Sequence, residues 1–160
     1  MSASSFVAKF GGIYEHSSWV AERAEPHLEE SLAVDDVARV MADCVDNAST
    51  ERRLELIRAH PDLAGKAQVA GDLTAESTTE QASAGLEQCT QDEYEQFQSL
   101  NDCYKQKFGF PFVMAVRNSS RQQILQMFER RLQSEYDDEF EAALVEIHKI
   151  ARLRLEAMDQ

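Results

Sequence analysis

The sequence has 160 residues, a length that suits one domain with its own hydrophobic core. Hydrophobic residues make up 43% of the chain, and this composition excludes the disordered, fibrous and disulfide-rich classes of protein. The 16 basic and 29 acidic residues give a net charge of −13, which argues against nucleic-acid binding and against attachment to an anionic membrane, because both need a basic surface.

The cysteines and the chain ends indicate a cytoplasmic protein. Cys44, Cys89 and Cys103 are odd in number and lack CxxC spacing, as expected for free thiols in a reducing compartment. The start, MSASSFVAKF, lacks the basic and apolar regions of a signal peptide, and no segment could span a bilayer. The end, EAMDQ, carries no peroxisomal tripeptide.

The scarcity of chain-breaking residues predicts an all-α fold. With six glycines and three prolines, the chain has too few turns for the many short strands of a sandwich or barrel. Without an internal repeat or linker, we expect a single compact domain of seven or eight helices. In the first part of the chain, apolar periodicity and caps predict helices at residues 4–10, 17–30, 35–47 and 50–60.

The second part of the chain begins with the longest irregular stretch, residues 61–76. Ser77 and Glu80 have the spacing of a capping box, which predicts a helix from there to Gly85. Thr90 and Glu93 form a second such pair, opening a helix that stops at Gly109. The apolar run 110–116 has no evident partner strand and is predicted to be an extended segment among helices. The last helices are expected at residues 119–133 and 136–158.

The final helix places an arginine on an apolar face. At 100° per residue, Arg154 falls within a stripe formed by Phe140, Ala143, Leu144, Ile147, Ile150, Ala151 and Met158. A buried arginine is costly unless it is paired. Periodicity alone leaves two interpretations open. One is a buried ion pair or a side chain that reaches solvent, and the other is an anchor for a ligand carboxylate or carbonyl.

His60 is the side chain best suited to proton exchange near neutral pH. It ends a predicted helix before Pro61, so a structural cap and a catalytic role both fit it. The four histidines are widely spaced, and the sequence has no HExxH motif, nucleophile elbow, phosphate loop or dinucleotide fingerprint. The residues therefore indicate no familiar metal or cofactor site.

Several motifs occur in a fixed order along the chain. They are GGIYEHS at 11–17, HPDLAGK at 60–66, LTAESTTEQ at 73–81 with AGL at 84–86, LN at 100–101, FGFPFV at 108–113 and EIHKIARLRL at 146–155. Together they resemble the 2-oxo-4-hydroxy-4-carboxy-5-ureidoimidazoline (OHCU) decarboxylase family. The similarity covers nearly the whole chain, and the set is specific although each motif alone would be weak.

The resemblance implies an all-α homodimer that needs no metal or organic cofactor. His60 matches the family's catalytic histidine and Glu80 its acidic partner. The remaining matches are to substrate-binding positions: Pro61, Ser77, Gln81, the segment Phe112, Val113, Met114, Ala115 and Val116, whose backbone contacts the ligand, and Arg154.

The activity implied is decarboxylation of OHCU to (S)-allantoin in urate breakdown, with His60 as acid or base. The substrate would be a small ureidoimidazoline. Because this substrate is unstable, the resemblance also suggests functional coupling to a hydroxyisourate hydrolase. One alternative is a non-enzymatic helical interaction module with an exposed apolar groove. The other is a related ring-opening or hydrolytic ureide enzyme, which would need a water-activating group or a metal.

Overall fold

A computed structural model describes residues 3–28, 33–65 and 73–158 of the chain. Within these ranges there are eight α-helices, two short 3₁₀ helices at Glu25–His27 and Leu86–Gln88, and no strand. The predicted all-α class and number of helices are therefore confirmed for the described part of the chain. The α-helices are α1 (Ala3–Phe10), α2 (Trp19–Ala24), α3 (Val34–Asp46), α4 (Thr50–Arg58), α5 (Ala75–Ser83), α6 (Gln91–Phe108), α7 (Arg121–Arg131) and α8 (Tyr136–Met158).

The chain divides into two compact units. Unit A comprises Met1–His60 and Ile147–Gln160, and unit B comprises Pro61–Glu146. The single domain expected from the sequence stays a prediction. No helix in the described ranges is both long and apolar enough to cross a membrane.

Unit A is built around short helices at the start of the chain. Here α2 packs against both α1 and α3, and the facing side chains are apolar and buried. The helix predicted for residues 17–30 ends early, at Ala24, and a 3₁₀ turn containing Pro26 follows. Proline has no N–H to continue the α-helical hydrogen bonding. Residues 29 and 30 of that prediction lie outside the described ranges.

In unit A, α4 leads directly to His60. Ser49 is the N-cap, with its side chain accepting a hydrogen bond from the backbone N–H of Arg52. The helix ends at Arg58, two residues before the predicted end, and Ala59 is its C-cap. His60 thus follows the helix.

In unit B, α5 corrects the predicted capping box. The N-cap is Thr74, whose hydroxyl accepts a hydrogen bond from the N–H of Ser77. Ser77 therefore lies inside the first turn and does not cap the helix, because Thr74 already has the extended backbone of an N-cap. Residues 66–72 of the preceding irregular stretch, including Lys66, lie outside the described ranges.

The aromatic core of unit B is organised by α6. The predicted capping box of Thr90 and Glu93 is confirmed, and the helix ends at Gly109, whose φ of 77° favours glycine. One face of the helix carries Phe97, Asn101, Tyr104 and Phe108, all buried. Residues 111–116 then run without helix, strand or turn, as the sequence predicts.

The last helix, α8, follows the predicted stripe except at its end. Met158 is 42% exposed, whereas Leu155, which the predicted stripe did not include, is 2% exposed. Arg154 is buried, as its position on the stripe predicts.

Candidate active site

His60 of unit A is held by its own helix. Its Nδ1 lies 2.9 Å from the carbonyl oxygen of Leu56, one helical turn earlier. A carbonyl oxygen can only accept, so Nδ1 carries the proton in this bond. The neutral ring therefore presents Nε2 as an unprotonated nitrogen, the atom that can accept a proton from a ligand.

Burial keeps His60 neutral. His60 is 8% exposed, and desolvation is the largest of the effects that lower its pKa from 6.5 to about 4. The positive charge of Arg154 and the nearby His16 also lower the pKa, while the bond to Leu56 and the negative charge of Glu15 raise it. At neutral pH the imidazole is therefore uncharged.

Arg154, on α8 in unit A, points its guanidinium at the turn that joins α1 to α2. Its guanidinium donates to the carbonyl oxygen of Gly12 at 3.2 Å, and its Nη2 lies 3.5 Å from Oε2 of Glu15. Both charged side chains are buried, at 6% and 2% exposure. The buried ion pair considered in the sequence analysis is thus present, and ligand binding by Arg154 stays a prediction.

Glu15 is the charged residue of this cluster that sequence reasoning missed. It belongs to the turn that follows Gly11, where a Cβ would lie 2.6 Å from the carbonyl oxygen of Val7. The neighbouring Tyr14 fastens the turn, since its hydroxyl is hydrogen-bonded to Nδ1 of His148 at 2.8 Å. Two features of the sequence could have indicated Glu15. It lies in the GGIYEHS motif, and an arginine that points into the core, as Arg154 does, needs an acidic partner.

The α5 residues predicted to bind substrate lie in unit B. Ser77 and Gln81 are buried, and Glu80 is partly exposed. The Gln81 amide already bridges the backbone after Pro61, accepting from the N–H of Ala64 at 3.0 Å and donating to the carbonyl of Asp62 at 3.2 Å. Gln81 therefore holds the chain that directly follows the partly exposed Pro61.

The segment 112–116 is also in unit B, and side chains hold its backbone. Arg131 donates to the carbonyl oxygen of Val113 at 2.7 Å, and the N–H of Ala115 donates to Glu146 at 3.1 Å. Phe112, Val113 and Val116 are buried, whereas Met114 and Ala115 are partly exposed.

The predicted site residues are thus divided between the units. Unit A brings together His60 and Arg154 and adds Glu15. Unit B contains the other predicted residues, namely Pro61, Ser77, Glu80, Gln81 and segment 112–116. Among the residues that the structure describes, no group of three or more His, Cys, Asp or Glu side chains is placed to hold a metal ion.

Comparisons with known proteins agree with this architecture. A family model described as OHCU decarboxylase matches residues 1–156. The 2-oxo-4-hydroxy-4-carboxy-5-ureidoimidazoline decarboxylase of Haloferax volcanii is 47% identical over 151 residues, which are 94% of this chain and 87% of that protein. The uric acid degradation bifunctional protein of Bacillus sp. TB-90 is 45% identical over 156 residues, covering 98% of this chain and 30% of that protein.

A solved structure supports the same assignment. The crystal structure of (S)-allantoin synthase superposes with a TM-score of 0.78 at 33% identity, covering 98% of this chain. This chain spans half of that one, 50% of its length. The fold and the matches define an all-α decarboxylase. More specifically, the chain belongs to the OHCU decarboxylase family.

Proposed function

We propose that this chain decarboxylates OHCU to (S)-allantoin, with His60 transferring the proton and without a cofactor. The observation that carries the proposal is the state of His60, a buried neutral imidazole whose Nδ1 is bonded to Leu56 and whose Nε2 can exchange a proton. Family membership supplies the substrate, because the Haloferax volcanii relative is an OHCU decarboxylase.

The substrate's own chemistry explains why such a site suffices. Its carboxylate is attached to a carbon next to a C=N bond. When the C–C bond to CO₂ breaks, the electron pair can delocalise into this imine. The unprotonated Nε2 of His60 takes the proton of the substrate's hydroxyl group and delivers it to the former imine carbon, while solvent protonates the imine nitrogen, and allantoin results. The electron sink that pyridoxal or thiamine provides in other decarboxylases is therefore already in the substrate. The protein has to orient the carboxylate, stabilise displaced charge and deliver the proton to one face.

In unit A, we assign proton transfer to His60 and carboxylate or carbonyl binding to Arg154. The positive charge of Arg154 helps to keep His60 neutral, and the geometry of a guanidinium matches that of a carboxylate. Glu15 offsets the charge of Arg154 in the buried site and fixes the direction of its side chain.

In unit B, we assign binding of the substrate's ring and ureido group to Pro61, Ser77, Gln81 and the backbone of residues 112–116. We expect segment 112–116 to be extended, and the bonded groups of Val113 and Ala115, two residues apart, then share one of its edges. Met114 then presents its N–H and C=O on the other edge, and it makes no backbone hydrogen bond to the described residues. An adjacent donor and acceptor suit the N–H and C=O of a ureido group. Glu80 is assigned as the acidic partner of His60.

The assembly and setting are part of the proposal. The family resemblance supports a homodimer, and free cysteines without CxxC spacing support a cytoplasmic location. The Bacillus relative is a bifunctional protein of uric acid degradation, and this chain spans only 30% of it. Such a fusion supports functional coupling of the decarboxylase to another urate-degrading activity, for which a hydroxyisourate hydrolase is our candidate.

Release of CO₂ separates this function from that of a ureide hydrolase. With substrate generated in situ from ¹³C-labelled urate, the chain should accelerate the appearance of labelled CO₂ and bicarbonate over the spontaneous rate, and chelator should not slow it. A hydrolase would open a ring or release ammonia while the carboxylate carbon stayed in the product. A non-enzymatic interaction module would change neither the rate of CO₂ release nor the rate of ring opening.

A further inference from the structure

The segment 112–116 of unit B lacks a partner strand among the described residues. Buried backbone N–H and C=O groups nevertheless need partners, because each unpaired group costs about 1–3 kcal/mol. In a sheet the neighbouring strand would provide them. Here two side chains from α7 and α8 provide them instead.

The first of these side chains is Arg131, at the end of α7. It donates through Nη1 to the carbonyl oxygen of Val113, and its guanidinium lies 4.6 Å from the centre of the Phe112 ring. Phe112 in turn stacks on Phe128 at 4.0 Å. One arginine thus fixes both the backbone and an aromatic side chain of the segment.

Arg131 is itself held by a buried network. Its Nε donates to Oε1 of Glu139 at 2.8 Å, and Tyr104 donates to the same oxygen at 2.5 Å. Arg131 and Glu139 are 8% and 2% exposed. A buried ion pair is seldom more stabilising than apolar residues of the same size. What it adds here is a fixed direction for the guanidinium that holds Val113.

The second side chain is Glu146, near the boundary of unit B on α8. Its Oε1 accepts the N–H of Ala115 at 3.1 Å. Arg131 therefore satisfies an acceptor and Glu146 a donor two residues apart in the segment. In an extended segment these two groups share one edge, and the backbone N–H and C=O of Met114 between them point to the opposite edge.

We propose that Arg131 and Glu146 are positioning residues that replace a partner strand and hold segment 112–116 in the conformation that binds substrate. This inference rests on the proposed function of that segment. It assigns to two residues outside the predicted site a role in catalysis that is exerted through the backbone.

The test uses Glu146, because it is partly exposed and its loss leaves the buried pair intact. Glu146→Ala removes the acceptor, whereas Glu146→Gln keeps an oxygen that can accept the Ala115 N–H. Glu141→Ala, an exposed glutamate on the same helix, is the matched control. The measurements are kcat/KM with substrate generated in situ, thermal unfolding, and NMR hydrogen exchange at the Ala115 amide.

We expect Glu146→Ala to lower kcat/KM by about 10- to 100-fold, since small misplacements of binding groups have effects of this size. Exchange at Ala115 should rise about tenfold. Glu146→Gln should bring kcat/KM and the exchange rate of the Ala115 amide to within about threefold of the wild type. General destabilisation of the protein would not give this recovery. The inference is overturned if Glu146→Ala matches Glu141→Ala in kcat/KM, or if Glu146→Gln is as impaired as Glu146→Ala. If the wild-type chain has no activity, the proposed function fails, and unchanged exchange at Ala115 would independently show that Glu146 does not hold the segment.

Discussion

The carbonyl oxygen of Leu56 accepts the Nδ1 proton of His60 over 2.9 Å. This hydrogen bond leaves Nε2 as the nitrogen of His60 that can exchange a proton. A suitable substitution can keep the hydrogen bond to Leu56 and remove the proton-exchanging nitrogen. An asparagine at position 60 can place its amide N–H where Nδ1 stands, but it has no titratable nitrogen in place of Nε2. We expect His60→Asn to fold like the wild type and to lose about 10²- to 10⁴-fold in kcat.

The measurement is kcat by product formation, together with the far-ultraviolet CD spectrum of the variant. Gln88→Asn, at an exposed position, serves as a control for handling and folding. Activity of His60→Asn within a few-fold of wild type would assign the proton transfer to another group.

His60 also makes stability depend on pH. Its pKa is about 4 in the folded chain and about 6.5 in the unfolded chain, so between these values the unfolded chain binds the extra proton. Stability from this group is therefore fully present above pH 6.5 and is lost as pH falls toward 4, by about 3 kcal/mol in all.

Urea unfolding at pH 7, 6, 5 and 4.5 measures this loss as the difference between the wild type and His60→Asn. The wild type should lose more stability than the variant on acidification. Parallel pH profiles for the two proteins would show that His60 is not held neutral by burial.

Glu15 is expected to matter as the partner of Arg154. Glu15→Leu leaves a buried guanidinium without its counter-charge, which typically costs about 3–5 kcal/mol of unfolding free energy. Glu15→Leu combined with Arg154→Met removes both charges and should be more stable than Glu15→Leu alone. The readout is the free energy of unfolding by urea, with Glu22→Leu as the exposed control. Arg154→Met alone completes the cycle. If the loss of unfolding free energy in the double variant equals the sum of the losses in the two single variants, the ion pair contributes nothing.

The network around Arg131 should dominate the stability of unit B. Arg131→Met strands the buried carboxylate of Glu139 and should cost about 3–5 kcal/mol. Tyr104→Phe removes one hydrogen bond to that carboxylate and should cost about 1–3 kcal/mol. Arg130→Met, at the exposed neighbouring position, should change the unfolding free energy little. Equal effects at positions 130 and 131 would contradict the network.

Features with a local sequence signal were predictable, and long-range partners were not. The inward position of Arg154 follows from helical period, and the cap at Thr90 follows from residue spacing. The box at Ser77 was misplaced because Thr74 three residues earlier offers an equally good hydroxyl, and only the backbone geometry decides between them. Glu15 lies in a turn, where no periodicity marks a buried side, and its partner is 139 positions away.

The network that holds segment 112–116 was missed for a similar reason. Arg131 lies at the end of a helix, and its contacts with Val113 and Glu139 span 18 and 8 positions. No pattern within one helix indicates which carbonyl such a side chain will reach. The all-α class, by contrast, depends on composition and caps distributed along the whole chain, and these are read directly from the sequence.

The most direct test of the central claim is the chirality of the product. OHCU is generated in situ from urate, and circular dichroism follows allantoin with wild type, with His60→Asn and without protein. Our account predicts rapid formation of (S)-allantoin with the wild type, and with His60→Asn the slow appearance of racemate that is seen without protein. Racemic allantoin formed at the spontaneous rate in the presence of the wild-type chain would contradict it.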